Sequence, residues 1–187
     1  MIFKYAYWFF PKVIPKSMCE FIINEGLNAP KQKGMVGGYE GENKNSNLRD
    51  SDIVFMRDPW VRHICDPYIH LANKNAGWNF QLGGTEEPQF TMYGKDQFYD
   101  WHVDSFEEPD KTGTIRKVSM SLILSDKKDY TGGQFMFEIN QEKVECKEVR
   151  EQGSIVVFPS YTRHMVKPVS KGTRYSLVLW MRGNPFV

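Results

Sequence analysis

Cysteine is scarce in this chain of 187 residues, and its pattern excludes two common structural devices. The three cysteines, Cys19, Cys65 and Cys146, are an odd number, lie far apart and form no Cys-x-x-Cys pair. This usage argues against a disulfide framework and against a zinc knuckle. It favours a reducing compartment, so we expect a cytoplasmic protein, or one of the host cytoplasm if the source is a virus.

The chain also lacks an excess of charge and a long apolar run. Its 24 basic and 23 acidic residues give a net charge of +1, so no field of one sign would attract nucleic acid or anionic lipid. No segment approaches the roughly 18 apolar residues that a transmembrane helix needs. The apolar N-terminus is interrupted by Lys4 and ended by Pro11, which is typical of a first strand rather than a signal peptide. We therefore expect neither a nucleic-acid partner nor a membrane partner.

Hydrophobic residues make up 41% of the chain and aromatic residues 14%, which is typical of a globular protein. The spacing of apolar residues predicts helices over 15–28 and 59–76, the second either continuous or broken at Pro67, and a short strand over 51–56. From Trp78 onward, glycine-containing turns separate short apolar segments, which predicts strands. These are residues 78–82, 89–93, 98–104, 115–125, 134–139, 144–149, 154–159, 164–169 and 174–181.

Two helices followed by many short antiparallel strands indicate the α+β class. We expect the β part to be a double-stranded β-helix, or jelly roll, whose interior can hold a small ligand. The chain is expected to form one domain over 1–187. In this division residues 1–77 provide helical support and residues 78–187 form the jelly-roll core.

Histidine is rare, and two of the four histidines stand in an informative arrangement. The motif His102-Val103-Asp104 is followed sixty residues later by His164. In a strand, His102 and Asp104 would point to the same side, and His164 would come from another strand. Two imidazoles and one carboxylate are the ligand set of non-haem Fe(II), which leaves about three positions open. A lone His-x-Asp motif also occurs by chance, and we interpret the other two histidines as structural, since they share a face of the second helix: His63 and His70.

Arg174 follows His164 by ten residues and lies in a predicted strand. Alternation places Ser176 and Trp180 on the same face as Arg174. A guanidinium forms a planar clamp with a carboxylate, whereas an inward arginine without an anion would be a costly buried charge. Ser176 would add a hydroxyl donor beside the guanidinium, and Trp180 would form a wall of the pocket. The four residues at 102, 104, 164 and 174 together suggest an oxygenase that uses Fe(II), O2 and 2-oxoglutarate.

From Gln89 to its C-terminus the chain resembles the prolyl-4-hydroxylase-like branch of the Fe(II)/2-oxoglutarate dioxygenases. The resemblance lies in Tyr93-Gly94, Phe98-Tyr99-Asp100-Trp101-His102-Val103-Asp104, Gly132-Gly133-Gln134-Phe135, the segment 153–159, the segment 164–169 and Gly172-Thr173-Arg174-Tyr175-Ser176.

By this resemblance, His102, Asp104 and His164 bind iron and form the catalytic centre. Arg174 would pair with the distal carboxylate of 2-oxoglutarate. Tyr93 would point its hydroxyl at the same molecule, although packing in the core is an equally good interpretation.

Two residues are candidates for contacting the substrate. Arg116 matches by position an arginine that contacts peptide in some relatives, but a basic residue in an exposed-looking stretch is more often solvated. Trp180 is the second candidate. The chain departs from the family pattern at Ile123, near which some relatives place a second tyrosine, and at Gln134, where bacterial relatives often have an acidic residue.

The resemblance implies hydroxylation of a prolyl residue in a protein or peptide, with succinate and CO2 as co-products and ascorbate as a supporting reductant. Two alternatives stay open: a hydroxylase of a free amino acid or small metabolite, and a non-catalytic jelly-roll module that binds 2-oxoglutarate. The loops over 31–47 and 105–113 are candidates for lids that close over the substrate.

Overall fold

The computed structural model describes residues 5–35, 47–105 and 108–186, which form two large antiparallel β-sheets, a two-stranded ribbon and two α-helices. The helices are α1 (Lys16–Asn28) and α2 (Pro59–Asn75), and a 3-10 helix covers Lys147–Val149. The strands are β1 (Trp8–Phe10), β2 (Gln32–Lys33), β3 (Arg49–Asp50), β4 (Asp52–Phe55), β5 (Gln89–Tyr93), β6 (Phe98–His102), β7 (Ile115–Ile123), β8 (Tyr130–Gly132), β9 (Phe135–Ile139), β10 (Glu142–Glu145), β11 (Ile155–Pro159), β12 (His164–Val166), β13 (Val169–Gly172) and β14 (Arg174–Gly183).

The larger sheet has seven strands in the order β1-β11-β7-β14-β5-β4-β2. The smaller sheet has five, in the order β10-β9-β12-β6-β3, and β13 pairs with β8 in a separate ribbon. Strands that neighbour each other in space are mostly far apart in sequence, as in a jelly roll.

The strands of the larger sheet separate two hydrophobic cores, because successive side chains of a strand point to opposite faces. On one face, Leu122 of β7 and Leu179 of β14 pack with Ile22 of α1 and Ile69 of α2. On the other face, Ile123 joins a second core that contains side chains of both sheets: Tyr93, Val156 and Phe158 from the larger one, and Phe135, Phe137 and Val166 from the smaller one. The two sheets therefore pack face to face, and the α+β jelly-roll prediction is confirmed.

Both predicted helices are present, and α2 runs through Pro67 without a break. No helix in the described ranges has the length and apolar character to cross a membrane. The segment assigned to helical support also contributes β1, β2 and β4 to the larger sheet and β3 to the smaller one.

The predicted strand over 78–82 is wrong. Side-chain hydrogen bonds hold this segment instead of a sheet ladder: the indole Nε1 of Trp78 donates to the carbonyl of Tyr5 at 2.8 Å. The Asn73 side chain both donates to the carbonyl of Phe80 and accepts from its amide, each at 3.0 Å. An amide side chain can satisfy both backbone groups of one residue, which removes the need for a partner strand.

Several other predicted strands have different bounds. The strand over 164–169 ends at Val166, and Val169 begins β13, which pairs with the unpredicted β8. The strand over 144–149 is replaced by β10, Cys146 and the 3-10 helix. The strand over 98–104 ends at His102. Of the two predicted lid loops, residues 36–46 and 106–107 lie outside the described part of the chain.

Candidate functional site

His102 and His164 face each other across the smaller sheet, near its pairing of β6 with β12. Asp104 lies two residues beyond the end of β6, so strand alternation is not what brings it to the site. A turn does so: the amides of Asp104 and Ser105 donate to the carbonyl of Ser160 at 2.8 and 3.0 Å. One ligand atom from each of His102, Asp104 and His164 lies within 4.8 Å of the others. The three residues therefore converge, as the sequence predicts.

The backbone fixes the orientation of both imidazole rings. Nδ1 of His102 lies 2.7 Å from the carbonyl oxygen of Asp100, and Nδ1 of His164 lies 2.9 Å from that of Thr162. Because a carbonyl oxygen only accepts, each Nδ1 carries the hydrogen, and each Nε2 presents a lone pair. Both Nε2 atoms lie 3.5 Å from an oxygen of Asp104. The lone pairs and the carboxylate thus point into one small space.

Burial and neighbouring groups set the charge of this cluster. Burial lowers the pKa of His164 to about 4, and the adjacent His102 adds to that effect. Burial raises the pKa of Asp104, but His164 and His102 outweigh it, and the net pKa lies well below the usual range of a carboxyl group. At neutral pH the cluster holds a neutral His164 imidazole beside a carboxylate, which are the protonation states that metal ligation requires.

Arg174 is 1% exposed and begins β14, in register with Tyr93 of β5. Its guanidinium carbon lies 5.7 Å from the centre of the Tyr93 ring, and its Nη1 donates to Oγ of Ser176 at 3.1 Å. Its Nε has no hydrogen-bond partner in the described part of the protein. Among the ion pairs of the described residues, none joins Arg174 to a carboxylate. A buried, uncompensated guanidinium is suited to an anionic ligand.

Two cavities flank this region. A small one of about 30 Å³ is lined by the three convergent residues together with Tyr93, Trp180 and others. A larger one of about 290 Å³ is lined by Arg174. Phe135 lines both cavities and stacks on the His164 ring at 5.5 Å. Tyr93 and Trp180 thus share the small cavity with the three convergent residues, and Ser176 contacts Arg174.

Arg116 is largely buried, so the interpretation of this arginine as a solvated surface residue is wrong. Its side chain is 17% exposed, and it pairs with Glu86 through Nε–Oε1 at 2.8 Å and Nη2–Oε2 at 2.6 Å. The guanidinium lies 3.8 Å above the Trp180 ring. Arg116 thus packs on the ring of a residue that lines the small cavity.

Sequence analysis missed Arg49 and Tyr99, which also line the small cavity. Tyr99 stacks on the His102 ring at 3.4 Å, and Arg49 lies 4.6 Å above Tyr99 while its Nε donates to Ser51. Residues three apart in a regular strand would face opposite ways. Here β12 pairs His164 with His102 but Val166 with Tyr99, so β6 carries one extra residue, a bulge that turns both rings inward. The position of Arg49 depends on the pairing of β3 with β6, for which the sequence has no local signal.

Comparisons with known proteins agree with this geometry. Residues 88–182 match the sequence profile of the 2OG-Fe(II) oxygenase superfamily. A PKHD-type hydroxylase of Aliarcobacter butzleri is 31% identical over 180 residues, which cover 92% of this chain and 76% of that protein. A second, of Nitrosomonas europaea, is 34% identical over 73% of this chain and 62% of its own length. A third, of Alteromonas mediterranea, is 33% identical over 51% of this chain and 42% of its own length.

The chain therefore belongs to the 2OG-Fe(II) oxygenase superfamily, and the family prediction is confirmed. It spans less than two thirds of the length of several of these relatives.

Solved structures show the same fold. A prolyl-4-hydroxylase of Pseudomonas putida matches with a TM-score of 0.70 at 23% identity, over 97% of this chain and 95% of its own. A prolyl hydroxylase of Trichoplax adhaerens, in complex with a peptide fragment of hypoxia inducible factor, matches with a TM-score of 0.74 at 19% identity. That match covers 95% of this chain and 84% of the other.

Proposed function

We propose that this protein is an Fe(II)/2-oxoglutarate-dependent hydroxylase of prolyl residues in a protein or peptide, with succinate and CO2 as co-products. The observation that carries the proposal is the convergence of two Nε2 lone pairs and one carboxylate, together with a buried Arg174 that has no counter-ion among the described residues. We further propose that residues 1–187 act as one domain. A reducing cytoplasm would suit the ferrous state of the metal.

The donor set fits Fe(II), because imidazole nitrogens and a carboxylate bind it and three protein ligands leave positions for other groups. His102, Asp104 and His164 would hold the metal, which supplies O2 activation when bound. The backbone carbonyls of Asp100 and Thr162 keep both rings in the ligating tautomer. Asp104 contributes the negative charge that favours a divalent cation.

The co-substrate would lie between the metal cluster and Arg174. Arg174 would pair with the distal carboxylate, and Ser176 holds the guanidinium from one side. Tyr93 and Phe135 would exclude water, since both are buried next to the cluster. A water-poor pocket strengthens the pairing of the guanidinium with a carboxylate.

A peptide substrate would meet Trp180 and Arg116 first. The indole Nε1 of Trp180 is buried without a partner in the described residues, so it is a donor that a substrate carbonyl could satisfy. Arg116 and Glu86 hold the ring in place. Prolyl hydroxylases are among the solved structures that share this fold, which supports a prolyl substrate.

The test uses the full chain with Fe(II), 2-oxoglutarate and ascorbate under air, offered a panel of proline-rich peptides and free amino acids. We expect a peptide to gain the mass of one oxygen atom in step with succinate release. Matched peptides with alanine in place of proline should gain nothing. Hydroxylation of a free amino acid alone would instead identify a metabolite hydroxylase. Tight 2-oxoglutarate binding without turnover would identify a binding module.

A further inference from the structure

An exposed aromatic ring lies on the cavity side of the larger sheet. Val54 of β4 packs in the core that contains the helices, so the next residue, Phe55, points to the opposite face. Phe55 is 40% exposed. In the described part of the chain, β2 pairs with Asp52 and Ile53 of β4 and does not reach Phe55. Single exposed apolar residues are common on protein surfaces, so the position of Phe55 decides what it can do.

Strand pairing connects Phe55 to the small cavity beside the metal cluster. Phe55 lies opposite Gln89 of β5, and Gln89 lies opposite Val178 of β14. Gln89 and Val178 both line the cavity together with the three convergent residues. Residues opposite each other in antiparallel strands have neighbouring side chains on one face. Phe55 is therefore two strands from Val178, a distance of about 10 Å.

Phe55 also lies away from the anchor, which is the guanidinium of Arg174. Arg174 lies opposite Tyr93 of β5, and Gln89 is at the other end of that strand. The length of β5 from Tyr93 to Gln89 is about 13 Å. Trp180, by contrast, follows Val178 on the same face of β14. Phe55 is therefore on the side of the cavity that the proposed function assigns to the peptide.

We propose that Phe55 is a specificity-determining residue, which binds an apolar side chain of the substrate peptide about three residues from the target proline. The proposal rests on the function proposed above and narrows its substrate class. An extended or polyproline II peptide advances by roughly 3.1–3.4 Å per residue, so about three residues span the distance from the cavity wall to Phe55.

The surroundings of Phe55 favour an apolar side chain over a charged one. Two residues beyond Phe55 in the chain, Arg57 lies 3.7 Å from Glu87 in an ion pair. The two charges compensate each other and form a polar rim beside the ring, an arrangement typical of binding surfaces. An apolar side chain that covers the Phe55 ring removes apolar surface of both partners from water, which is favourable.

The sheet provides a matched control residue at its other edge. Phe9 of β1 is 39% exposed and lies opposite Val156 of β11. The row continues from Val156 through Ser121 to Val178, so Phe9 and Phe55 belong to one row on one face. Val156 packs in the second core, whereas the strand neighbour of Phe55 lines the cavity. Phe9 thus matches Phe55 in residue type, exposure and face, but not in its connection to the cavity.

The test is peptide binding to the full chain loaded with Mn(II) and 2-oxoglutarate in the absence of O2, measured by fluorescence anisotropy. Each peptide has one proline in a background of glycine and serine, and one leucine at successive positions on either side of the proline. We expect the native chain to bind one peptide, with leucine about three residues from the proline, roughly tenfold more tightly than the peptide without leucine. Phe55→Ala should abolish this preference, Phe55→Leu should keep most of it, and Phe9→Ala should keep all of it.

The peptide without leucine should bind to the native chain and to Phe55→Ala equally. An equal loss of affinity for both peptides would overturn the proposal, since Phe55 would then act only through the fold. A leucine preference that persists in Phe55→Ala would also overturn it, as would a native chain that shows no leucine preference or binds no peptide.

The proposed function fails in a different way. If the peptides bind with a preference that depends on Phe55 but none gains an oxygen atom when Fe(II) and O2 are supplied, the chain is not a hydroxylase of these peptides, and the role of Phe55 in binding stands. Hydroxylation of the peptides without any leucine preference would overturn the role of Phe55 alone.

Discussion

At the scale of single residues, the site depends on which atom each side chain presents. His164 is buried, and a backbone carbonyl holds its Nδ1 so that Nε2 is free to ligate. We expect His164→Ala to abolish stoichiometric metal binding while the protein stays folded, because two remaining ligands hold a divalent ion weakly. Metal content after dialysis and the circular dichroism spectrum measure the two effects. His70→Ala, at an exposed position of α2, should retain the metal; equal metal content in both variants would refute the ligand assignment.

Arg174 should matter for the co-substrate more than for the metal. We expect Arg174→Ala to raise the KM for 2-oxoglutarate by roughly 10- to 100-fold, since a hydrogen-bonded charge pair contributes about 1.5–3 kcal/mol. Steady-state succinate release at varied 2-oxoglutarate measures it. Arg57→Ala is the control, because the Arg57 side chain is 85% exposed. An unchanged KM in Arg174→Ala would mean that the guanidinium does not contact the co-substrate.

The same arginine should destabilise the protein when no ligand is present. A buried charge without a partner is unfavourable, and an apolar side chain of similar length avoids that cost. We expect Arg174→Met to raise the free energy of unfolding of the ligand-free protein by about 1 kcal/mol or more, although it weakens 2-oxoglutarate binding. Urea denaturation without 2-oxoglutarate measures the gain in stability, and denaturation with 2-oxoglutarate measures the weakened binding. A less stable variant would show that Arg174 already has a compensating partner.

At the scale of elements, the turn between β8 and β9 shapes the anchor. Gly133 combines a φ of +61° with a Cβ position 2.8 Å from Arg174. We expect Gly133→Ala to lower the free energy of unfolding by about 1–3 kcal/mol through backbone strain, and to weaken 2-oxoglutarate binding by displacing Arg174. Denaturant unfolding and calorimetry measure these effects. Gly84→Ala, where nothing lies within 4 Å of the new Cβ, should change neither; equal effects at both glycines would rule out the contact with Arg174.

Elements also show how far sequence reasoning reaches. The helices and most core strands follow from apolar periodicity, and His102, Asp104, His164 and Arg174 follow from motif spacing together with the family resemblance. The features that the sequence did not predict depend on contacts between segments that are distant in the chain. The bulge in β6 turns Tyr99 inward, and β3 brings Arg49 to the cavity only by pairing with β6. The segment after α2 satisfies its backbone through Asn73 rather than through a strand.

At the scale of the whole molecule, the buried imidazole couples folding to pH. The pKa of His164 is about 4 in the folded protein, against roughly 6.5 for an unperturbed histidine. Between these values the unfolded chain binds a proton that the folded chain excludes, so stability falls as pH falls from about 6.5 towards 4. Above about pH 5 Asp104 adds little, because its carboxyl is ionised in both states there. Nearer its unperturbed pKa of about 3.9 the unfolded chain also takes up this proton, so the loss of stability steepens.

We therefore expect the metal-free protein to lose stability progressively across that range, and His164→Gln, which does not titrate, to lose less. Urea midpoints measured at several pH values for both proteins give the comparison. A bound divalent metal requires the neutral ring and stabilises only the folded state, so added Mn(II) should protect strongly at pH 7 and weakly near pH 4. The burial of the His164 ring between His102 and Phe158 disfavours its protonation in the folded state. If the urea midpoints of the native chain and His164→Gln changed with pH in parallel, this imidazole would be protonated alike in the folded and unfolded states, and the prediction would be wrong.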